Sequence, residues 1–197
     1  MTVRRIIFWI SALLLTSTFA GIYAWRMRER VPIESPIADA RPVAPPAAGP
    51  TEHVTLYVAY DDPGVLFVQP TAIPLPADRQ QRAHELLRAL LNRYLAKSSP
   101  HPLAPDADIR TVYLIDPGIA VIDLNSSFAA GHRSGILIEE LTVVSLIHTL
   151  SENVEGITRV KILVDGKQAE TLAGHVDLTN FFDVAAVNQL AAELQQK

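Results

Sequence analysis

"RTVYLIDPGIAVIDLNSSF", Arg110 to Phe128, is the stretch on which the reading of the fold depends. Val112 and Leu114 alternate with Tyr113 and Ile115, the period of two that a strand with two different faces requires. Asp116-Pro117-Gly118-Ile119 then reverses the chain. Pro117 pre-sets φ at the second turn position and Gly118 accepts positive φ at the third, which is the demand of a type II turn. Such a turn does not suit the usual two-residue hairpin, so a longer or bulged joint is expected before a second strand runs through Leu124.

Outward from this hairpin the periods alternate. "HVTLYVAY" places Val54, Leu56, Val58 and Tyr60 on one face of a strand, and Asp61-Asp62-Pro63-Gly64 turns it back into "VLFVQP". From Asp78 to Leu95 the apolar residues Ala83, Leu86, Leu87, Leu90, Leu91, Tyr94 and Leu95 recur at steps of three and four. Arg79, Arg82, Glu85, Arg88 and Arg93 fill the other turns, so an amphipathic helix capped by Asp78 is expected. The Pro-rich loop "KSSPHPLAPDADI" follows. Beyond the hairpin, Ser134 to Leu150 is apolar on nearly every side and long enough for a buried helix; His148 falls at about 100° per residue beside Leu137, Leu141 and Val144. Val160, Ile162 and Val164 give one more strand, ending at Asp165-Gly166. Val184, Val187, Leu190 and Leu194 form a stripe for a short C-terminal helix. The order β-β-α-β-β-α-β predicts an α+β fold, a small sheet with two main helices on one face.

The amino-terminal part has another character. Ile6 to Trp25 is uncharged and, at about 1.5 Å per residue, just long enough to cross a bilayer. Trp9, Tyr23 and Trp25 lie toward its ends, and Arg4, Arg5, Arg26 and Arg28 flank it. This predicts a transmembrane signal anchor. A cleavable signal peptide cut at Gly21 after Thr18-Phe19-Ala20 is the alternative. Flanking arginines do not choose the orientation. The layout, a short tail ahead of the span and the folded part behind it, puts the domain outside the cytoplasm of a bacterium, on a single-pass protein of the cytoplasmic membrane. The chain has no cysteine, which excludes a lipid anchor on cysteine and any disulfide. "VPIESPIADARPVAPPAAGP", Val31 to Pro50, reads as a semi-rigid spacer. The expected organisation is thus a tail over 1–5, the anchor over 6–25, the spacer over 26–50, the module over 51–183 and a short helix or tail over 184–197.

Residues 51–197 contain 11 basic and 18 acidic side chains, a formal charge of −7. That surface argues against nucleic acid as a partner, and no Lys/Arg cluster with interleaved aromatics offsets it. His148 is the best-placed candidate for chemistry, but no serine, cysteine or carboxylate stands at a diagnostic spacing from it. Ser145 precedes it without a strand–turn–helix elbow. Asp116, Asp123, Asp165 and Asp177 could suggest paired carboxylates for hydrolysis, yet each sits where Asp satisfies loose backbone donors at turns and strand ends. The six histidines form no close pair such as His-x-x-x-His, so no metal and no cofactor is expected.

Taken together, "VTLYVAYDD", "VYLIDPGIAVIDLNSSF", "LTVVSLIHTLSENVEGITRVKILVDGK" and "LAGHVDLTNFF" resemble a GerMN domain, the module of the sporulation and germination proteins called GerM, in a single copy over about residues 54–183. The resemblance implies motif positions at Asp123, Leu124, Asn125 and Phe128 after the hairpin, at His148, Thr149 and Leu150 on the second helix, and at Val164, Asp165 and Gly166 on the strand end. Asparagine is frequent in the family where His148 stands, and an amide could not perform proton transfer. The resemblance further implies a module related in shape to ring-building domains and without established catalysis. The reading is therefore a non-enzymatic, membrane-anchored interaction or scaffold domain outside the cytoplasm, docking to itself or to another envelope protein through an exposed sheet edge or an apolar patch. A small-ligand or glycan-binding domain and a cell-envelope hydrolase are the competing readings.

Overall fold

The computed structural model describes residues 49–196. Two ten-residue strands, β1 (Thr51–Tyr60) and β2 (Val65–Pro74), pair antiparallel along their whole length. Helix α1 (Arg79–Tyr94) follows. Its N-cap Asp78 accepts a hydrogen bond from the Gln81 N–H at 2.7 Å, and Ala83, Leu86, Leu87, Leu90, Leu91 and Tyr94 are buried, as the three- and four-residue spacing requires. Strands β3 (Ile109–Ile115) and β4 (Ile119–Leu124) form the hairpin. A short helix α2 (Ser126–Ala130) and the long helix α3 (Ile136–Asn153) lead to β5 (Arg159–Val164), which lies parallel to β4. The two-residue β6 (Phe182–Asp183) adds antiparallel to β5, and α4 (Val184–Gln195) ends the fold. In α4, Val184, Val187, Ala191 and Leu194 are buried, and Leu190 of the predicted stripe is only partly so.

The class is α+β, but the sheet is divided into two: β1-β2 alone, and a four-stranded sheet in the order β3-β4-β5-β6. The physical reason lies at the free edge of β1. Side chains, not a strand, satisfy its backbone. Thr149 Oγ1 accepts from the Tyr57 N–H, Tyr94 Oη from the Ala59 N–H, and Asn153 both accepts from the Thr55 N–H and donates to the Thr55 C=O. Backbone groups at Thr55, Tyr57 and Ala59 therefore point away from β2. The opposite register then turns the backbone of Leu66, Val68, Pro70, Ala72 and Pro74 outward on β2. Pro70 and Pro74 stand where a missing N–H breaks no ladder bond, and they blunt the outer edge against strand addition. The edge of β3 is also occupied: the Gln80 carboxamide donates to the Val112 C=O and accepts from the Leu114 N–H.

The hairpin reversal takes three residues, Asp116 to Gly118, between the paired Ile115 and Ile119, in place of the expected four-residue type II turn. The joint is thus longer than a two-residue turn but not itself bulged; the register shift lies at the far end of the hairpin, between Ile109 and Thr111. One core cluster unites Leu56 and Val58 of β1, the buried face of α1, Ile122 and Leu124 of β4, Leu141 and Leu146 of α3, and Ile162 of β5. The reading of a transmembrane signal anchor is corrected: among the described residues no helix is long and apolar enough to cross a membrane, and the expected span Ile6–Trp25 lies outside those residues, as do the tail and most of the spacer.

Candidate functional site

The predicted motif residues fall into three separate groups. At the hairpin tip, Asp116 is almost fully exposed with Arg79 Nη1 3.7 Å away. Gly118 has φ +75°, and its C=O accepts from the N–H groups of Thr158 and Arg159. A Cβ there would stand 2.7 Å from Thr158 Oγ1 and 2.8 Å from the Gly156 C=O, so both conformation and space require glycine. Pro117 lies between them in the reversal.

At the other end of β4, Asp123 is buried and accepts from the Gly166 N–H at 2.7 Å, while Arg110 lies 3.7 Å from Asp123 and 3.3 Å from Asp165. Asp165 and Gly166 both have positive φ, which makes the tight exit from β5. Asn125 caps α2 through the Phe128 N–H, accepts from the Asp108 N–H and donates to the Asp106 C=O, and Phe128 is buried in the core. These residues tie strand ends and loops together.

His148 and Thr149 form the third group. Thr149 is the β1-edge acceptor described above. His148 is 6% exposed, donates from Nδ1 to Asn188 Oδ1 at 2.8 Å on α4, and packs its ring 4.0 Å from Tyr57. Its expected neighbourhood is corrected in part: Leu137 shares its angular face, but eleven residues of helix separate them by about 16 Å, and Leu137 is 41% exposed. The ring seats α4 on α3. Among the described residues its ring nitrogens meet the amides of Asn188 and Gln195, and Ser145 is occupied by Tyr94 Oη.

Sequence reasoning missed the most connected carboxylate. Glu139 on α3 is fully buried; its Oε2 accepts from the N–H groups of Ala173, His175 and Val176, each at 3.0 Å, and its Oε1 from His175 Nδ1 and the Gly135 N–H. Burial pushes this carboxyl up, but the Val176 N–H, the His175 ring and the remaining donors outweigh it and hold it at about 2. The linker between β5 and β6 is thus fastened to α3. Lys161 holds the same linker from the sheet, donating from Nζ to the C=O groups of Leu178 and Thr179, both at 2.7 Å. No sequence spacing marks these partners, because the donors are backbone groups.

One feature with the character of a binding surface is the outer face of the four-stranded sheet. Register aligns Ile115 with Ile119 and Arg159 in one row, and Tyr113 with Val121 and Lys161 in the next. Over β5 the linker covers Lys161. Over β3 and β4 Tyr113 is 50% and Ile115 51% exposed, and the margin is Phe181, 49% exposed, with the Arg159 guanidinium 5.3 Å from its ring centre. Elsewhere, an open polar groove of about 480 Å³ runs between α1 and β3, lined by Asp78, Gln80, Gln81, His84, Arg110, Thr111 and Val112.

The family described as "Germane: Sporulation and spore germination" matches residues 55–170, more than half the chain, from within β1 to past β5. The chain belongs to that family. It carries a GerMN-type domain of mixed α+β fold, and domains of this family are structural and interaction modules. Among solved structures, the tandem GerMN domains of the sporulation protein GerM from Bacillus subtilis align at 18% identity with a TM-score of 0.49, over 68% of this chain and 46% of that one. The first GerMN domain of the same protein aligns at 20% identity with a TM-score of 0.44, over 66% of this chain and 94% of that one. The chain therefore spans about half of the tandem protein. No protein of curated function matches it.

Proposed function

We propose that this GerMN-type domain is a docking module of the cell envelope, outside the cytoplasm, and that it docks through the outer face of its four-stranded sheet. The observation that carries the reading is the uncovered pair of rows on β3 and β4, where Tyr113 and Ile115 keep half their surface in water although the neighbouring β5 half is roofed by the linker. Strand addition fits less well. The β1 edge is filled by Thr149, Tyr94 and Asn153, the β3 edge is met by Gln80, and the β2 edge carries Pro70 and Pro74.

The occupant this face fits is a second copy of the domain. Arg159, exposed at the margin of the apolar patch, offers a cation that a carboxylate of a second copy can meet, residues 51–197 carrying 18 acidic against 11 basic side chains. Such a contact is heterologous and need not be self-complementary. Replacing Tyr113 and Ile115 with glutamate in the full chain should leave the fold intact, since both side chains point to solvent, and should remove the self-crosslinked species formed in cells. A different envelope protein crosslinked at the same face would replace the second copy as occupant. Unchanged crosslinking would show that the face is not used.

A further inference from the structure

Thr142 on α3 is completely buried, and three groups converge on its hydroxyl: Nε2 of His101 at 2.6 Å, Nε2 of His132 at 2.7 Å and the Ile138 C=O at 3.1 Å. The two rings are fixed from behind. His132 Nδ1 lies 2.8 Å from the Arg133 C=O, which can only accept, so this nitrogen carries hydrogen. His101 Nδ1 lies 2.5 Å from Asp61 Oδ1, and the other carboxylate oxygen is bonded to the Arg133 guanidinium. The arginine keeps Asp61 an acceptor, so His101 Nδ1 also carries hydrogen.

The hydrogens at Thr142 then do not add up for two neutral rings. Each would present a lone pair from Nε2, and one hydroxyl hydrogen cannot serve both. One additional proton removes the conflict: one ring donates from both nitrogens, and Thr142 accepts from it and turns its hydrogen to the other ring in place of the Ile138 C=O, which keeps the helical Thr142 N–H. We propose that the folded domain binds one proton in the cluster of His101, Thr142 and His132, and that this proton is a pH-sensitive clamp holding three loops on α3. Asp61 belongs to the β1–β2 turn, His101 to the α1–β3 connection and His132 to the α2–α3 connection. The first two are also joined by the Asp61 N–H donating to the Pro100 C=O.

Burial works against a proton on either ring taken singly, and a charge on one ring works further against a second on the other. Burial, followed by the neighbouring His132, pushes His101 down to about 4; burial also pushes His132 down, against the pull of the Arg133 C=O and of Glu139. These influences act on each ring taken singly, whereas the shared proton belongs to the coupled pair. The remaining neighbours are Tyr94 of α1, its ring 4.9 Å from His101 and its hydroxyl engaged by Ala59 and Ser145, and Phe128 of α2, stacked at 6.3 Å on His132. Charged groups facing the cluster are therefore Asp61 and Arg133 from the loops and Glu139 from α3, with His175 on the far side of Glu139.

The sign of the linkage follows. A proton kept by the folded cluster above the pKa of about 6.5 of an unfolded histidine gives stability that is fully present below about pH 6.5 and lost as pH rises through the folded value. Rings discharged by burial give the reverse, a loss of stability as pH falls below about 6.5. The test is nitrogen NMR of the full chain labelled in histidine, at pH 7. Three protonated ring nitrogens and one bare nitrogen among the four of His101 and His132 are expected; two bare Nε2 atoms would overturn the proposal. Thr142→Val should also cost more stability at pH 6 than at pH 8, and the opposite order would count against the clamp. Should that variant fail to fold, the same urea midpoints on Thr142→Ser, which keeps the hydroxyl, should follow the wild-type pH profile, and a profile unlike it would contradict the role of the hydroxyl.

Discussion

Replacing Glu139 with glutamine tests the support of the β5–β6 linker. The carboxylate takes five donors, three of them backbone N–H groups on Oε2. Glutamine keeps one oxygen for those three, but turns an NH₂ toward His175 Nδ1 and the Gly135 N–H, so donors face donors where acceptance was needed. A carboxyl held at about 2 in the fold, against an ordinary 4.5, contributes on the order of 3 kcal/mol near neutral pH. The folded value is depressed, so this stability is fully present above about pH 4.5 and is lost as pH falls toward 2. Urea unfolding of Glu139→Gln at pH 7 should therefore show a loss of about 3 kcal/mol relative to wild type, with the difference shrinking between pH 5 and pH 3. The segment from Ala173 to Val176 should also exchange its amide hydrogens faster. A loss under about 1 kcal/mol that does not change with pH would refute the ionised hub.

Three further substitutions address other supports. Gly118→Ala should cost roughly 2 kcal/mol or more in urea unfolding, because φ +75° and the Cβ approach to Gly156 and Thr158 both oppose it; a neutral effect would mean that the tip is not seated on β5. Asn153→Ala should cost about 2 kcal/mol by leaving the Thr55 N–H and C=O without partners, read by the same melts and by faster exchange at Thr55. His148→Asn should stay within about 1 kcal/mol of wild type, since an amide can still meet Asn188, whereas His148→Asp should cost about 2 kcal/mol by burying a charge beside Tyr57. Equal stability of those two variants would place the side chain in water.

Periodicity carried the parts of this fold whose information is local. Helix α1 is readable because Asp78 caps it and its apolar residues recur at three and four, and the hairpin is readable because Pro117-Gly118 interrupts a period of two. The division into two sheets is not local. It depends on Tyr94, Thr149 and Asn153 reaching β1 from 35 to 98 residues away. The same holds for Glu139, most of whose donors are backbone groups of a linker with no period, and for His101 and His132, which converge on Thr142 from separate loops. Asp123, Asn125 and Gly166, which the family resemblance singled out, lie beside strand ends and turns, and what they hold is not visible in a motif. Tyr113 and Ile115 read as ordinary strand residues. Only the path of the linker over β5 shows that their face stays open.

The central claim is that the domain docks through the sheet face and not through the strand edge. Photo-crosslinking from single positions in the full chain, expressed in its own cells, separates the two: a probe at Tyr113 on the face should give a defined species, a second copy being expected, while a probe at Ala72 on the outer edge of β2 should give none. Crosslinks from Ala72 with none from Tyr113 would contradict the account.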